Sequence, residues 1–384
     1  MTNLDYWLWL SLKEGIGQQK LTHLLELFGS PEEIFKLSKD QLKKTEGLSD
    51  EDVRQLTDKS LKPAHFVKEQ CKQYGIRILT YDSAFYPEKL KQIPDPPHVL
   101  YVRSKNRINL NDKLCIGMVG NRIMTEYGRC AAHDIASGLA QVGVVVVSGM
   151  ARGIDGTAHT AALRSDGITV AVLGCGLDIA YPPEHDEMME TICETGMVIS
   201  EYPPGTPPLP NHFPARNRII SGLSDGVIVV EAPEKSGALI TADFALQQGR
   251  DVFAVPGDIT REHSVGTNRL IRQGAVLVGS FLDVLKEYEI VYRNILKQNA
   301  LQEAEEEKPI SPLADLELLK SGRYDGLSET AMKIVSQLSL TPIHFDVLLN
   351  RTALAADELS AELMMLEIGG FVKTMPGKHF VLDV

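Results

Sequence analysis

Short apolar runs recur between residues 115 and 278, and helix-like segments separate them. Each run is rich in β-branched residues and is apolar at consecutive positions, as at 144–147, rather than at alternating ones. The runs cover 115–120, 142–149, 169–174, 197–200, 226–231, 251–255 and 275–278. Continuous hydrophobicity indicates strands that are buried on both faces, which is typical of a parallel sheet covered by helices. The pattern therefore predicts an α/β fold with an extended Rossmann-like, doubly wound and mostly parallel sheet.

Two further segments precede this sheet. Residues 1–75 have apolar positions at helical spacing and are predicted to form a small helical domain of the helix-hairpin-helix or SAM-like type. Its glycine turns at 14–18 and 46–50 could offer amides to a DNA phosphate, but few basic residues lie beside them, which favours a docking module. Residues 76–114 contain two strand-like runs that are predicted to extend one edge of the sheet, so the Rossmann domain is placed at 76–290.

The composition changes after the sheet. Residues 291–327 are acidic and contain prolines, and they are predicted to form a linker. Residues 328–384 then show three helical segments and a hairpin around 376–378, which is the pattern of a winged helix. The third helical segment is acidic, whereas a helix that reads DNA should be basic, so protein docking is favoured for this unit.

Length and charge limit the possible functions. A chain of 384 residues is expected to form two or three domains. The net charge of −12 argues against a surface that coats nucleic acid, but it leaves room for a local basic site. Five scattered cysteines and the lack of an apolar run of roughly 20 residues predict a soluble, cytoplasmic protein without a membrane span.

Turns that contain glycine or arginine follow several of the predicted strands. Because the carboxyl ends of parallel strands meet at one edge of a sheet, these turns are expected to lie together. Backbone N–H groups and forked guanidinium donors both suit phosphate, so the edge is predicted to bind a phosphate chain. The candidate residues are Gly120, Asn121, Arg122, Ser148, Gly149, Arg152, Gly153, Phe213, Arg216, Asn217, Arg218, Ser236, Gly237 and Thr241.

Several of these residues have an alternative structural role. Phe213 could stack on a base or pack in the core, and Ser236 could bind phosphate or cap a helix. Asp155 is predicted to support the site by bonding Arg152, by holding loop amides or by capping a helix, and His159 to be a packed helix residue. The chain lacks a Walker A motif, a dinucleotide fingerprint, a nucleophile elbow and metal-ligand spacing, so no cofactor and no metal is predicted.

Five co-linear motifs, at 119–122, 147–155, 213–224, 236–242 and 252–257, resemble those of the DNA-processing protein A family, DprA/Smf. The resemblance implies a homodimer without enzymatic activity that binds single-stranded DNA. It also implies that the protein protects incoming strands and loads the RecA recombinase in natural transformation and recombination.

The family's phosphate contacts fall on Arg122, Arg152, Arg216 and Arg218. Asn121 departs from the family pattern, in which serine or threonine is commoner, and the turn at 181–185 lacks a basic residue that some members have.

A second resemblance leads to an enzyme. Residues 216–241 are also similar to the LOG nucleoside-monophosphate phosphoribohydrolases, whose related fold carries a catalytic glutamate after a glycine turn. Here Ala242 and Asp243 stand where the acids are expected, and acid–base catalysis needs a placed carboxylate. The sequence therefore favours the DNA-binding interpretation, with a nucleotide-binding Rossmann enzyme as the alternative.

Overall fold

The computed structural model describes residues 1–292, 327–338, 343–352, 354–375 and 379–382. The chain divides into two compact units, Met1–Glu303 and Ala304–Val384. Except at its two ends, the linker predicted at 291–327 lies outside the described residues. None of the helices in the described ranges is long and apolar enough to cross a bilayer.

The first unit alternates strands and helices through its central part. Its strands are β1 (Arg77–Thr80), β2 (Val99–Arg103), β3 (Cys115–Val119), β4 (Val145–Ser148), β5 (Thr169–Leu173), β6 (Met197–Ser200), β7 (Gly226–Val229), β8 (Asp251–Ala254) and β9 (Val276–Leu277). Its helices are α1 (Asn3–Ser11), α2 (Gln18–Phe28), α3 (Pro31–Lys36), α4 (Lys39–Lys43), α5 (Asp50–Thr57), α6 (Lys62–Gln73), α7 (Glu88–Lys91), α8 (Glu126–Gln141), α9 (Ile154–Arg164), α10 (Asp186–Thr195), α11 (His212–Leu223), α12 (Gly237–Gln247), α13 (Val265–Arg272) and α14 (Phe281–Tyr292).

The strands form one sheet in the order β1-β2-β6-β5-β4-β3-β7-β8-β9. Strands β3 to β9 pair in parallel, whereas β1 and β2 pair antiparallel at the edge next to β6. This confirms the predicted doubly wound sheet and its edge extension. The chain winds outward from β3 in both directions, so the carboxyl ends of β3 and its neighbours face the crevice where such sheets bind ligands.

Alternate residues of each central strand enter different cores. In β4, Val145 and Val147 pack in one apolar layer, while Val146 packs in the layer on the opposite face of the sheet. Helices cover both faces, which explains why consecutive rather than alternating positions are apolar.

Helix α1 joins the small helices to the sheet. Trp7 packs in a core that includes Val99 and Tyr101 of β2, whereas Trp9 packs among the other N-terminal helices. The predicted turns contain Gly15 and Gly47, whose positive φ angles are 77° and 86°.

Lys20, one of the few basic residues near these turns, is already paired with Asp52 at 2.6 Å. That pairing agrees with a docking module better than with a DNA contact.

The second unit contains α15 (Glu329–Val335), α16 (Phe345–Thr352) and α17 (Ala356–Ile368), with β10 (Ile343–His344), β11 (Val372–Met375) and β12 (His379–Leu382). The strands form a sheet in the order β10-β12-β11 and pack on the helices in the manner of a winged helix. The second helix of this unit begins at Phe345, directly after His344, which lies in β10 opposite His379. Pairing with a distant strand fixes this boundary, and local periodicity does not contain that information.

Candidate nucleic-acid interface

The turns that follow β3, β4 and β5 meet the start of α11 at one edge of the sheet. Together they line a shallow pocket whose walls include Arg122, Gly149, Arg152, Tyr181, Phe213 and Arg216. The predicted convergence of glycine- and arginine-containing turns at the carboxyl ends of the strands is therefore present. Not every predicted residue faces this pocket, and the contacts below separate them.

Two glycines allow the turn after β3 and the turn after β4 to pack closely against each other. A Cβ atom at Gly153 would collide with the carbonyl oxygens of Asn121 and Arg122, and one at Gly120 would collide with the side chain of Ile154. The N–H of Ile154 donates to the carbonyl of Asn121 at 3.2 Å. These glycines thus allow backbone to approach backbone, which places the loops that carry Arg122 and Arg152 side by side.

We expect Gly153→Ala to lower the free energy of unfolding by about 2–3 kcal/mol, because the new side chain meets both a strained backbone and a steric clash. The backbone of Gly153 has φ 75° and ψ −126°, a region that is essentially reserved for glycine. Urea unfolding measures the change.

Gly205→Ala is the matched control, since its φ is +84° but no atom lies within 4 Å of the added Cβ. An equal loss of unfolding free energy in both variants would show that backbone strain accounts for the whole effect and that the clash with the Asn121 and Arg122 carbonyls adds nothing.

Arg216 is a buried wall of the pocket, with only 4% of its surface exposed. Its Nη1 donates to the carbonyl of Gly149 at 2.7 Å and also to the carbonyl of Val172. Asp155 lies on the other side of Gly149 and accepts from the N–H groups of Gly149 and Ala151 at 3.2 and 3.4 Å. A Cβ at Gly149 would come within 2.6 Å of Arg216 Nη2 and 2.7 Å of Asp155 Oδ2, so only glycine fits between them.

Burial shifts both titrations in this pair. It lowers the pKa of Arg216 to about 10, while the nearby Asp155 opposes the change, so Arg216 stays charged at neutral pH. Burial raises the pKa of Asp155, and Arg216 and the two amides oppose that rise. Arg216 and Asp155 therefore each favour the charged form of the other in a desolvated place. Of the three roles predicted for Asp155, the structure shows the one that holds loop amides.

Arg218 faces a different cleft. Its guanidinium binds Glu201 through two bonds of 3.0 and 2.7 Å, and its Nε donates to Asp95 at 3.2 Å. These carboxylates raise the pKa of Arg218 although burial opposes the change. Residues two apart in a helix point about 200° apart, so Arg216 and Arg218 of α11 cannot face the same side.

Arg122 and Arg152 are the exposed cations of the pocket. The guanidinium carbon of Arg122 lies 5.7 Å above the ring of Phe213, and this residue makes no hydrogen bond or ion pair with any described residue. Arg152 is 61% exposed and pairs with the exposed Glu184. Since exposed ion pairs contribute little, a phosphate can replace Glu184 at small cost.

Two aromatic rings form the opposite wall. Phe213 and Tyr181 are half-buried, and their ring centroids lie 5.3 Å apart at an interplanar angle of 30°. A Cβ atom at Gly174 would lie 3.2 Å from the ring of Phe213, so this half-buried ring packs closely against the β5 turn. Tyr181 was not predicted as a site residue. Its position in a proline-containing turn after a buried strand was the available signal.

Ser148 and Asn121 bond within the protein. The hydroxyl of Ser148 is fully buried and donates to the carbonyl of Met118 at 2.6 Å. The amide of Asn121 lies 2.6 Å from Nδ1 of His263, which ties the β3 turn to the segment before α13. Both side chains hold loops in place.

The remaining predicted residues lie at the start of α12 or, in the case of Asn217 of α11, bond to it. The hydroxyl of Ser236 accepts from the N–H of Ala238 at 3.2 Å and caps the helix, which is the structural role left open above. Asn217 donates to the carbonyl of Gly237 at 3.3 Å, and Thr241 is 1% exposed. This group borders α11 but is absent from the pocket wall.

The two residues at the positions where the enzyme alternative expects acids do not enter the pocket either. Ala242 is buried, Asp243 is exposed on α12, and neither is among the residues that line it.

His159 lies fully buried under the site. Its Nδ1 is 2.7 Å from the hydroxyl of Thr169, which itself donates to the carbonyl of Val146, so Nδ1 must be the donor. Its Nε2 has no hydrogen-bond partner among the described residues. Burial, helped by His185 and Arg216, lowers the pKa of His159 to about 3, which keeps the ring neutral and agrees with a packed residue rather than a base.

We expect His159 to make the protein less stable in mild acid. The folded state keeps this ring neutral down to about pH 3, whereas the unfolded chain protonates it below about pH 6.5, so unfolding takes up a proton. The free energy of unfolding should fall by about 2 kcal/mol between pH 6.5 and pH 5 through this residue.

Urea unfolding of wild type and His159→Asn across that range measures the contribution of His159. His98, whose pKa burial lowers to about 4, acts in the same direction in both proteins. A wild-type stability that is level from pH 6.5 to 5 would contradict the expectation.

Family models match most of the chain. The DNA recombination-mediator protein A model matches residues 77–289, more than half of the chain, and the DprA winged helix domain model matches residues 321–378. Protein Smf from Synechocystis is 36% identical over 98% of this chain and 98% of its own length. DNA processing protein DprA from Streptococcus pneumoniae is 44% identical over 59% of this chain and 78% of its own length.

Solved structures agree with these matches. The X-ray structure of DprA from Streptococcus pneumoniae covers 75% of this chain and 98% of its own chain, at 37% identity and a TM-score of 0.66. A structure that describes the single-stranded DNA binding mode of DNA processing protein A from Helicobacter pylori covers 56% of this chain and 95% of its own chain. Its sequence identity is 30% and its TM-score is 0.51.

Proposed function

Because this chain belongs to the DNA recombination-mediator protein A family, DprA/Smf, we propose that it binds single-stranded DNA without catalysing a reaction on it. In this proposal the protein works in the cytoplasm, protects incoming strands and passes them to the RecA recombinase during recombination and natural transformation.

One observation carries the proposal. Two exposed guanidinium groups, those of Arg122 and Arg152, stand beside two accessible rings, Phe213 and Tyr181, in one pocket of a chain with net charge −12. A single strand presents both phosphates and unstacked bases, so a site for it combines cations, which bind the phosphates, with aromatic rings, on which the bases stack. Phosphate contacts carry no base information, so binding should tolerate many sequences.

The contacts divide the predicted residues by role. We assign phosphate binding to Arg122 and Arg152, and base stacking to Phe213 and Tyr181. Arg216 fixes the floor between the β4 and β5 turns, and Arg218 holds α11 against Glu201 and Asp95. Ser236 at the start of α12 and Asn217 of α11, which bonds Gly237, border this path and are candidates for a further contact.

The test compares single- and double-stranded oligonucleotides of equal length by fluorescence anisotropy at several salt concentrations. We expect the single strand to bind more tightly, with an affinity that falls as salt rises because counterions are released. Equal or stronger binding of the duplex would contradict the proposal. Release of free base from nucleoside monophosphates would favour the enzyme alternative instead.

Pairing with a second copy and with RecA rests on family membership. Light scattering of the purified protein tests the first, since a homodimer has twice the chain mass of 42.3 kDa. Co-sedimentation with RecA filaments on a single strand tests the second.

A further inference from the structure

A second groove lies next to the pocket, along α8, α9 and the start of α10. Its cationic or titratable side chains are Arg129, His133, Arg164 and His185, and no aspartate or glutamate of the described ranges lines it. We call it the α8–α9 groove. In a chain with a net charge of −12, such a lining is a local reversal of sign.

The charge of the groove is available to a ligand. Arg164 is exposed in the last turn of α9, and its guanidinium makes no hydrogen bond or ion pair with any described residue. Arg129 pairs with Glu126 on the same helix through both Nε, at 2.8 Å, and Nη2, and this pair lies at the surface, where a phosphate can compete with the carboxylate. The carboxylates of Glu126 and Asp134, which contact Arg129 and His133 on α8, are not among the residues that line the groove.

The side chains that could otherwise serve as neutral donors are occupied. Thr157 and Thr160 also line the groove, but their hydroxyls donate to the carbonyls of Gly153 and Gly156 at 3.0 and 2.8 Å. An anion in the groove therefore finds its strongest donors in the two guanidinium groups. Forked donors of this kind suit phosphate oxygens.

The α8–α9 groove continues from the pocket through shared chain segments. Gly153 lines the groove, and its neighbour Arg152 lines the pocket. His185 lines the groove, and its neighbour Glu184 pairs with Arg152. The imidazole of His185 is held there by the carbonyl of Met150 at 2.9 Å.

Gly156 lets that ring lie against α9, since a Cβ there would come within 3.0 Å of His185 Cε1. An extended ligand that leaves Arg152 therefore meets the groove next.

We propose that the α8–α9 groove is a second phosphate-binding site, in which Arg129 and Arg164 take phosphates of the same single strand beyond those at Arg122 and Arg152. The proposal rests on the function proposed above and deepens it, because it gives the strand a direction and a minimum length. Short strands fill the pocket alone, and longer ones reach both sites.

The experiment measures the affinity and its salt dependence for strands of about 6 and about 20 nucleotides, lengths that bracket common single-strand site sizes. Variants are Arg164→Ala, Arg164→Gln and Arg129→Ala/Arg164→Ala. We expect unchanged binding of the short strand. For the long strand we expect roughly 3- to 10-fold weaker binding per arginine and a salt slope that is shallower by about 0.7 for each.

Arg54→Ala is the matched control. Arg54 pairs with Glu51 three residues away on α5, as Arg129 pairs with Glu126 on α8, but it lies on the N-terminal helices. It should change neither strand's affinity. Thermal unfolding of every variant shows that the fold is kept, and Arg164→Gln preserves most of the side chain's packing.

The outcomes separate the two proposals. Long-strand affinity that is unchanged in the double variant overturns the second site while the pocket stands, as does an equal loss for both lengths. Wild-type protein that binds neither strand overturns the proposed function itself. Binding of the wild type to an acidic peptide in competition with the long strand, with no length effect, would assign the groove to a protein partner and also overturn the proposal.

Discussion

Replacing Arg218 by methionine should lower the free energy of unfolding by about 3–5 kcal/mol. The side chains of Arg218 and Glu201 are each only 8% exposed, and the guanidinium carries two bonds to Glu201 and one to Asp95. Without the arginine, Glu201 keeps a charge in a place that water reaches poorly. A buried charge that loses its partner costs several kcal/mol, because its desolvation is no longer compensated.

The variant Arg103→Met is the control that shows how much of the loss depends on the burial of the ion pair. Arg103 also bridges two elements, from β2 to Glu190 of α10 at 2.8 Å, but these side chains are 27% and 54% exposed. Its loss should cost less than about 1 kcal/mol in urea unfolding. Equal losses for the two variants would contradict the expectation.

At a temperature where Arg218→Met is folded, its affinity for single-stranded DNA should stay within about twofold of the wild type, since a residue outside the pocket makes no phosphate contact. A large loss of affinity in folded protein would return Arg218 to the set of phosphate contacts.

Reversing the charges of Arg122 and Arg152 together should weaken binding of single-stranded DNA by roughly 100-fold or more. Each change removes a charge-assisted hydrogen bond to phosphate, worth about 1.5–3 kcal/mol, and adds a like charge in its place. Both side chains are exposed, so the double variant Arg122→Glu/Arg152→Glu should unfold at nearly the wild-type temperature. Fluorescence anisotropy with a strand of about 6 nucleotides restricts the measurement to the pocket.

The double variant Arg54→Glu/Arg107→Glu separates a local effect from a general one. It changes the net charge of the chain by the same four units, but at exposed positions outside the pocket. We expect it to weaken binding by only a few fold, through the long-range field. If the two double variants weaken binding equally, net charge and not the pocket controls the affinity.

The glycine-rich turns show how far a pattern reaches. The glycines at 149, 153 and 156 indicate close contacts, and at all three positions an added Cβ atom would lie within about 3.0 Å of a neighbouring atom. The pattern does not say what crowds them. Gly153 faces backbone, Gly149 faces Arg216 and Asp155, and Gly156 faces His185, since the partner in each case comes from another segment of the chain.

The arginines show the same division. Helical geometry alone implies that Arg216 and Arg218 point to different sides of α11. Only the packing of α11 between the β5 turn and the carboxylates of Glu201 and Asp95 decides that Arg216 lines the pocket and Arg218 an ion-paired cleft. Tyr181 escaped prediction for a related reason, because its ring becomes part of the wall only when Phe213 is brought to it.

By itself the sequence determined the doubly wound sheet, its extension at one edge and the end of the sheet at which arginine and glycine collect. It could do so because strands buried on both faces appear as continuous apolar runs, and the turns that follow them appear as glycine- and arginine-containing segments at regular intervals. The tertiary structure decided which cations remain exposed and which are bound by buried carboxylates or carbonyls. Those outcomes depend on partners many residues away, such as Asp95 for Arg218, and local sequence does not encode such distances.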